Sequence, residues 1–290
     1  MDIVENLQKY LPSSEKYMSS YGKKHLLNQD FTNLQSTLGS GSFTELDTAI
    51  KKFKYVFLKF LIKKTWEKEV FDSVFFKNYE NLCDKQNRMI DFTVIAHAFT
   101  LQILDEKKLL NGKICTIGDG KANFITGCLF SKNNITLYSV NLPQALIQDY
   151  LIIKKFNILN DENIKVVNSE EDLNSKNIKL FLIPAEKKSL LKNQNINLFS
   201  NIVCFQEIPK TETREYFEII KNNKGYLYCC NREEKKLYDG EIIKYYDYPW
   251  GDCRKIFEEE CLLYRKYYSL RPPFIHKIKD KIIHSLTKFN

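Results

Sequence analysis

The segment Ile114-Cys115-Thr116-Ile117-Gly118-Asp119-Gly120-Lys121-Ala122-Asn123-Phe124 constrains the fold more than any other, because a short apolar run stops at two glycines and a helix-length pattern follows. In an open α/β sheet, a first strand that ends this way puts backbone N–H groups and a helix N-terminus at the carboxyl edge, where ligands bind. The runs at 135–140, 178–183, 196–203 and 225–230 are also short, apolar and rich in β-branched and aromatic residues, with helix-sized intervals between them. Together with 113–117 they predict βαβ units and a mainly parallel sheet. Residues 164–167 are a sixth candidate, and 241–248 and 261–268 read as antiparallel edge strands. Ile275, Ile278, Ile282 and Leu286 read as the stripe of a basic C-terminal amphipathic helix.

Ahead of the glycine segment the pattern is helical. Ile50, Phe53, Phe57 and Phe60 recur at spacings of three and four, as do Phe92, Ile95, Phe99 and Ile103, so two helices should each carry an apolar stripe. Ser42-Phe43-Thr44-Glu45 has the form of a capping box for the first. Gly39-Ser40-Gly41 lacks the Gly-Lys-Ser/Thr of a phosphate loop and reads as a plain loop. The expected organisation is a helical region over 1–110 and an α/β domain over 111–290.

Only six of the 44 basic residues are arginine (88, 214, 232, 254, 265, 271), and the formal net charge is +8. A lysine-dominated excess lacks the planar forks that nucleic-acid recognition favours, so nucleic acid is not expected as a partner. The eight cysteines show no C-x-x-C pair and no zinc-type quartet with histidine, which points to reduced, mostly buried thiols and no metal site. Acidic residues near the start do not fit a signal peptide. The apolar stretch 55–62 is broken by Lys59 and falls short of the roughly 18 residues of a membrane span, so the expected location is cytoplasmic.

A dinucleotide fingerprint would need a third glycine at position 123, which is Asn. An S-adenosylmethionine loop of the form acidic-x-Gly-x-Gly-x-Gly fits at Gly118 and Gly120, with Thr116 in the acidic position and Ala122 in place of the last glycine. A tight strand-to-helix turn without a ligand fits the same residues. At the end of the second strand, Asn141-Leu142-Pro143 places a polar side chain where nucleoside-binding α/β folds contact ribose hydroxyls, or where it simply caps the turn. Pro143 is suited to opening the next helix.

Asn201-Ile202-Val203-Cys204-Phe205-Gln206-Glu207-Ile208, then Tyr216-Phe217, Tyr228-Cys229-Cys230-Asn231-Arg232 and Tyr248-Pro249-Trp250, follow in order after the segment around Arg88, the Gly118 loop and Asn141-Leu142-Pro143. Over roughly residues 60 to 285 the chain resembles the sugar O-methyltransferases of bacterial surface-polysaccharide gene clusters. The resemblance implies a Rossmann-like class I methyltransferase sheet behind an N-terminal helical region. It also implies S-adenosylmethionine as cofactor and methylation of a hydroxyl on a sugar, nucleotide-linked or part of a growing glycan. The chain departs from the family at Asn141, where Asp is usual, and at Cys204-Phe205. These departures would lower cofactor affinity or mark a chain that has lost activity, and Thr116, Asn141 and Ala122 would fit a non-catalytic module that holds a glycan or a partner protein.

On this reading Gly118, Asp119, Gly120, Asn141 and Leu142 hold the cofactor. Glu207 is the first candidate for the base or hydroxyl anchor, against the alternative of a structural pair with Arg232. His276, after the stiff Arg271-Pro272-Pro273 approach, is a second catalytic candidate beside its structural reading. Gln206, Asn231 and Arg232 are candidate substrate ligands, and Tyr248 and Trp250 could stack on a sugar face. His97, on an apolar helix, and His284 read as structural and surface residues. Lys277, Lys279, Lys281 and Lys288 beside the C-terminal stripe would suit transient contact with an anionic membrane, or solvation of a helix packed on the sheet.

Overall fold

The computed structural model describes residues 2–26, 44–65, 68–131 and 134–290. The Gly39-Ser40-Gly41 loop and the first half of the expected capping box lie outside them. The helices are α1 (Ile3–Gln8), α2 (Ser20–Leu26), α3 (Ala49–Thr65), α4 (Lys68–Asp72), α5 (Val74–Lys85), α6 (Phe92–Glu106), α7 (Asn123–Ser131), α8 (Pro143–Lys155) and α9 (Lys210–Asn223). The strands are β1 (Gly112–Ile117), β2 (Ile135–Asn141), β3 (Ile164–Val166), β4 (Leu180–Pro184), β5 (Leu198–Ile202), β6 (Tyr226–Arg232), β7 (Glu234–Lys236), β8 (Ile242–Lys244), β9 (Cys253–Glu260), β10 (Lys266–Tyr268), β11 (Ile275–Lys277) and β12 (Ile282–Phe289).

Eight strands form one sheet in the order β3-β4-β2-β1-β5-β6-β12-β9. Pairing is parallel from β3 through β6, while β12 lies antiparallel to both its neighbours. The fold is therefore α/β with a large, mostly parallel Rossmann-like sheet, as expected. Alternate residues of each strand enter opposite layers, the period-two consequence of a sheet covered on both faces. Ile114, Leu137, Leu180, Leu198 and Tyr228 join the core formed with α5, α6, α7 and α8. Cys115, Tyr138, Phe181, Phe199 and Leu227 join the second core with Tyr216, Phe217, Ile219 and Ile220 of α9.

Residues 275–277 and 282–289 are strands, and no helix forms here. Ile282, Ile283, Leu286 and Phe289 are all buried, because β12 fills the interior position between β6 and β9. His284 is buried with it, its ring packed against Phe257 and its Nδ1 facing the Tyr228 hydroxyl at 3.3 Å. The strand expected over 241–248 is reduced to β8 and that over 261–268 to β10, each in a separate two-stranded hairpin. The main edge strand is β9, whose sequence CRKIFEEE is too charged to announce one.

Helix α3 forms, but its inward face is not the expected stripe. Tyr55, Leu58 and Ile62 are buried, while Ile50, Phe53, Phe57 and Phe60 are exposed. Its N-terminus is capped by Thr48, whose hydroxyl accepts the Lys51 amide at 3.2 Å, so the cap lies beyond the expected box. Helix α6 is buried on almost every side, opened by Asp91, which accepts the Thr93 and Val94 amides. All eight cysteines are unbridged, six of them buried. No helix among the described residues is long and apolar enough to cross a membrane.

Candidate active site at the carboxyl edge

A cavity of about 490 Å³ opens at the carboxyl ends of β1, β2 and β5, within the size range of small-molecule sites. Gly118, Asp119, Gly120 and Lys121 form part of its lining, with Asn141 and Leu142 beyond β2. Val203, Cys204 and Glu207 line it beyond β5, and Arg232 at the end of β6. Thus all five proposed cofactor residues, together with Glu207 and Arg232, come together around one space.

The glycine turn is held in an unusual conformation. Gly118, Gly120, Lys121 and Ala122 all have positive φ, at 75°, 58°, 64° and 51°. Ala122 therefore adopts the left-handed backbone that glycine takes without strain, at a cost of roughly 1–2 kcal/mol. A Cβ on Gly118 would come within 2.0 Å of the Cys204 sulfur, whereas one on Gly120 would meet nothing within 4 Å. Val203 is likewise left-handed at φ 58°, a strained state for a β-branched residue and one that recurs at functional sites.

The amides that this turn should offer to a ligand are already occupied. Asp119 accepts from Phe124 and Ile125 at 2.8 Å each, closing the N-terminus of α7 with a carboxylate of its own. Asp149, fully buried on α8, accepts the Ala122 amide at 2.6 Å. Burial pushes the Asp119 carboxyl up to about 7 and that of Asp149 well above its usual range, and the negative charge of Asp119 adds to the latter. Arg88, also buried, donates to the Asn123 side chain at 3.0 Å. Asp91, on the same side, is raised by burial to about 6, with Arg88 acting in the opposite direction.

His97 lines the cavity, which its apolar helix pattern did not reveal. Its Nδ1 lies 2.7 Å from the Thr93 carbonyl and its Nε2 3.7 Å from Asp119. Burial lowers it to about 4, so the ring is neutral near pH 7, Nδ1 donates, and Nε2 remains an acceptor. Lys121 is lowered by burial to about 8, although Asp91 favours its charge. The N-terminal segment also contributes: Tyr17, Met18, Ser19 and Gly22 line the cavity, and the Ser19 hydroxyl donates to the Glu207 carbonyl at 2.6 Å. No local motif in residues 14–22 signals this placement, which depends on the chain crossing the sheet edge.

Glu207 faces the cavity with its carboxyl raised by burial, and Lys235 stands 3.8 Å away. Arg232 pairs with Asp280 at 2.6 Å. Other proposed substrate ligands take structural positions. Gln206 is buried, its carbonyl accepting the Arg232 amide at 2.7 Å. Asn231 is fully buried and donates to Asn201 at 2.8 Å, tying the ends of β5 and β6 together. Neither lines the cavity. Tyr248 and Trp250 belong to the opposite core, where they pack with Phe205, Phe217 and Tyr245. Among the described residues the aromatic rings at the cavity wall are instead Phe92, Tyr264, Tyr17 and Tyr216. His276 sits on β11 with its Nε2 3.2 Å from the Ser269 hydroxyl and does not line the cavity.

No family model matches the sequence, and no curated protein does. Among solved structures, an S-adenosylmethionine-dependent methyltransferase from Clostridium acetobutylicum ATCC 824 is similar at 11% identity and a TM-score of 0.43, covering 84% of this chain and 100% of that one. An rRNA methylase from Streptococcus thermophilus shows 12% identity and a TM-score of 0.38, covering 62% and 88%. MtNAS in complex with MTA and tNA shows 14% identity and a TM-score of 0.37, covering 100% and 99%. Likeness of this degree carries no function from those proteins to this one.

Proposed function

We propose that this chain is an S-adenosylmethionine-dependent methyltransferase whose acceptor is a hydroxyl of a sugar, nucleotide-linked or part of a growing glycan. The observation that carries the cofactor reading is the occupied turn. The Phe124, Ile125 and Ala122 amides are consumed by Asp119 and Asp149, so a pyrophosphate would meet the Asp119 carboxyl at the cavity wall instead of open donors. A nucleoside ligand that carries a cation and no phosphate suits those surroundings better than a dinucleotide does.

Gly118, Asp119 and Gly120 would line the methionine side, and Asn141 would reach the ribose hydroxyls. The Asn141 side-chain oxygen accepts the Leu142 amide at 2.9 Å, which fixes the orientation of its amide group. The cofactor would supply a methyl group on a sulfonium, open to in-line displacement by the acceptor oxygen. A sugar hydroxyl is a weak nucleophile, and Glu207, raised by burial, is suited to receive its proton as the bond forms. Glu212 and Arg232 add polar groups to a wall otherwise built from Tyr264, Ile278 and Ile282, a mixture that suits a polyhydroxyl ring.

Calorimetric titration with S-adenosylmethionine, S-adenosylhomocysteine and NAD tests the reading. Binding of the first two without the third is expected. Absence of all three, with retained binding of a glycan, would favour the non-catalytic module to which Thr116, Ala122 and Asn141 point.

A further inference from the structure

Helix α3 has two apolar faces. Tyr55, Leu58 and Ile62 point into the core, and Leu58 is fully buried. On the far side Ile50 is 68% exposed, Phe53 78%, Val56 70% and Phe60 63%. At about 100° per residue these two arcs lie on opposite sides of the helix. The lysines lie on the flanks: Lys52, Lys59 and Lys63 along one border, Lys54 along the other, with Lys64 at the C-terminal end. The helix contains no acidic residue. Lys52, Lys54 and Lys64 have no ion-pair partner among the described residues.

We propose that this face of α3 docks on the surface of an anionic lipid bilayer. Exposed phenylalanines bordered on both sides by lysines form the pattern of an interfacial helix, in which rings enter the acyl boundary and ammonium groups reach the phosphates. A second copy of the same face is the poorer occupant, because the helix carries no carboxylate of its own and, although Lys59 and Lys63 share Glu80, apposing two such faces would set Lys52, Lys54 and Lys64 against their counterparts. The C-terminal lysines do not serve in the same way, since they border no helical stripe: Ile282 and Leu286 are buried in β12, and Ile275 and Ile278 lie outside it.

The position of α3 also fits delivery of a lipid-borne acceptor. Phe57 contacts Phe274 edge-on at 5.5 Å, and Phe274 lies four residues before the cavity residue Ile278. The Tyr55 hydroxyl accepts the Ile90 amide at 3.0 Å, two residues before the cavity residue Phe92. The helix thus touches two segments that run on into the cavity wall. The proposal does not depend on the cofactor assignment and can fail without it.

Flotation of the full chain with phosphatidylcholine vesicles, with and without about 30% phosphatidylglycerol, provides the test. Co-flotation is expected only with the anionic vesicles. It should fall at least tenfold in a Phe53→Glu/Phe60→Glu variant and several-fold in a Lys52→Glu/Lys54→Glu variant or at about 0.5 M salt. Circular dichroism of the variants should match the parent, as expected for exposed positions. No flotation of the parent, or equal flotation of parent and Phe variant, overturns the proposal. So does a concentration-dependent dimer in sedimentation that the Phe variant abolishes, because the occupant would then be a second copy.

Discussion

Asp119 and Ala122 show what single residues revealed and concealed. The two glycines around Asp119 were legible as a turn at a sheet edge, since few other residues adopt positive φ cheaply. That the aspartate would close the helix behind the turn depends on geometry five and six residues on, and Asp149 and Arg88 are brought in from distant sequence. Ala122 breaks the glycine pattern of the loop, yet its backbone is left-handed, in the region that glycine favours. His97 was concealed because one polar side chain on an apolar helix reads the same whether it lines a cavity or a core. Its titration is a direct check. The unfolded ring protonates near 6.5 and the buried one near 4, so the folded state carries no penalty above 6.5 and an increasing one as the pH falls toward 4. Relative to a His97→Gln variant, the parent should lose on the order of 3 kcal/mol of stability over that interval in denaturant titrations, and parallel curves for the two proteins would refute the assignment. Glu207→Gln tests the other key side chain. It should leave S-adenosylmethionine binding within about threefold and lower turnover by roughly 10²–10⁴, whereas a structural carboxylate would affect the two together.

Elements were legible where their sequence fits one pattern and concealed where it fits two. The strands β1, β2, β4, β5 and β6 are buried on both faces and read as short apolar runs bounded by turns. In β12 nearly every residue is buried, so apolar positions can be picked out at helical spacing as readily as at alternating spacing, and periodicity could not decide between them. The edge strand β9 is partly exposed and carries Arg254, Lys255 and three glutamates, the kind of charge that guards sheet edges and disguises them. In α3 two apolar stripes compete, and the more hydrophobic one faces outward, which no folding argument from a single helix could foresee. Helix α9 offers a test at this scale. It ends at Lys224 in the left-handed conformation, with φ 51° and its amide on the Lys221 carbonyl at 3.0 Å, the position that usually holds glycine. Lys224→Gly should therefore raise stability by about 0.5–1 kcal/mol, read as a shift in denaturation midpoint at constant slope.

At the scale of the whole molecule, the two chain ends matter more than their sequences suggest. Residues 2–26 pack along α8 and reach the carboxyl edge: Leu7 enters the main core, the Tyr10 hydroxyl donates to Asn168 at 2.7 Å, Ser14 accepts from Gln144 at 2.8 Å, and Tyr17 to Ser19 line the cavity. Buried residues from before and after the change of texture near residue 110 join one core. At the other end, β12 occupies an interior place in the sheet, and its Ser285 hydroxyl accepts from the buried Tyr245 at 2.6 Å. A surface helix could be removed with little effect, but an interior strand could not. A chain ending at Asp280 would leave β6 and β9 with unpaired edges and open both cores along their length, exceeding the roughly 5–15 kcal/mol by which a domain is usually stable. It should show no cooperative thermal transition and no near-ultraviolet dichroism, and a melting curve within a few degrees of the full chain would mean that β12 is not an interior strand.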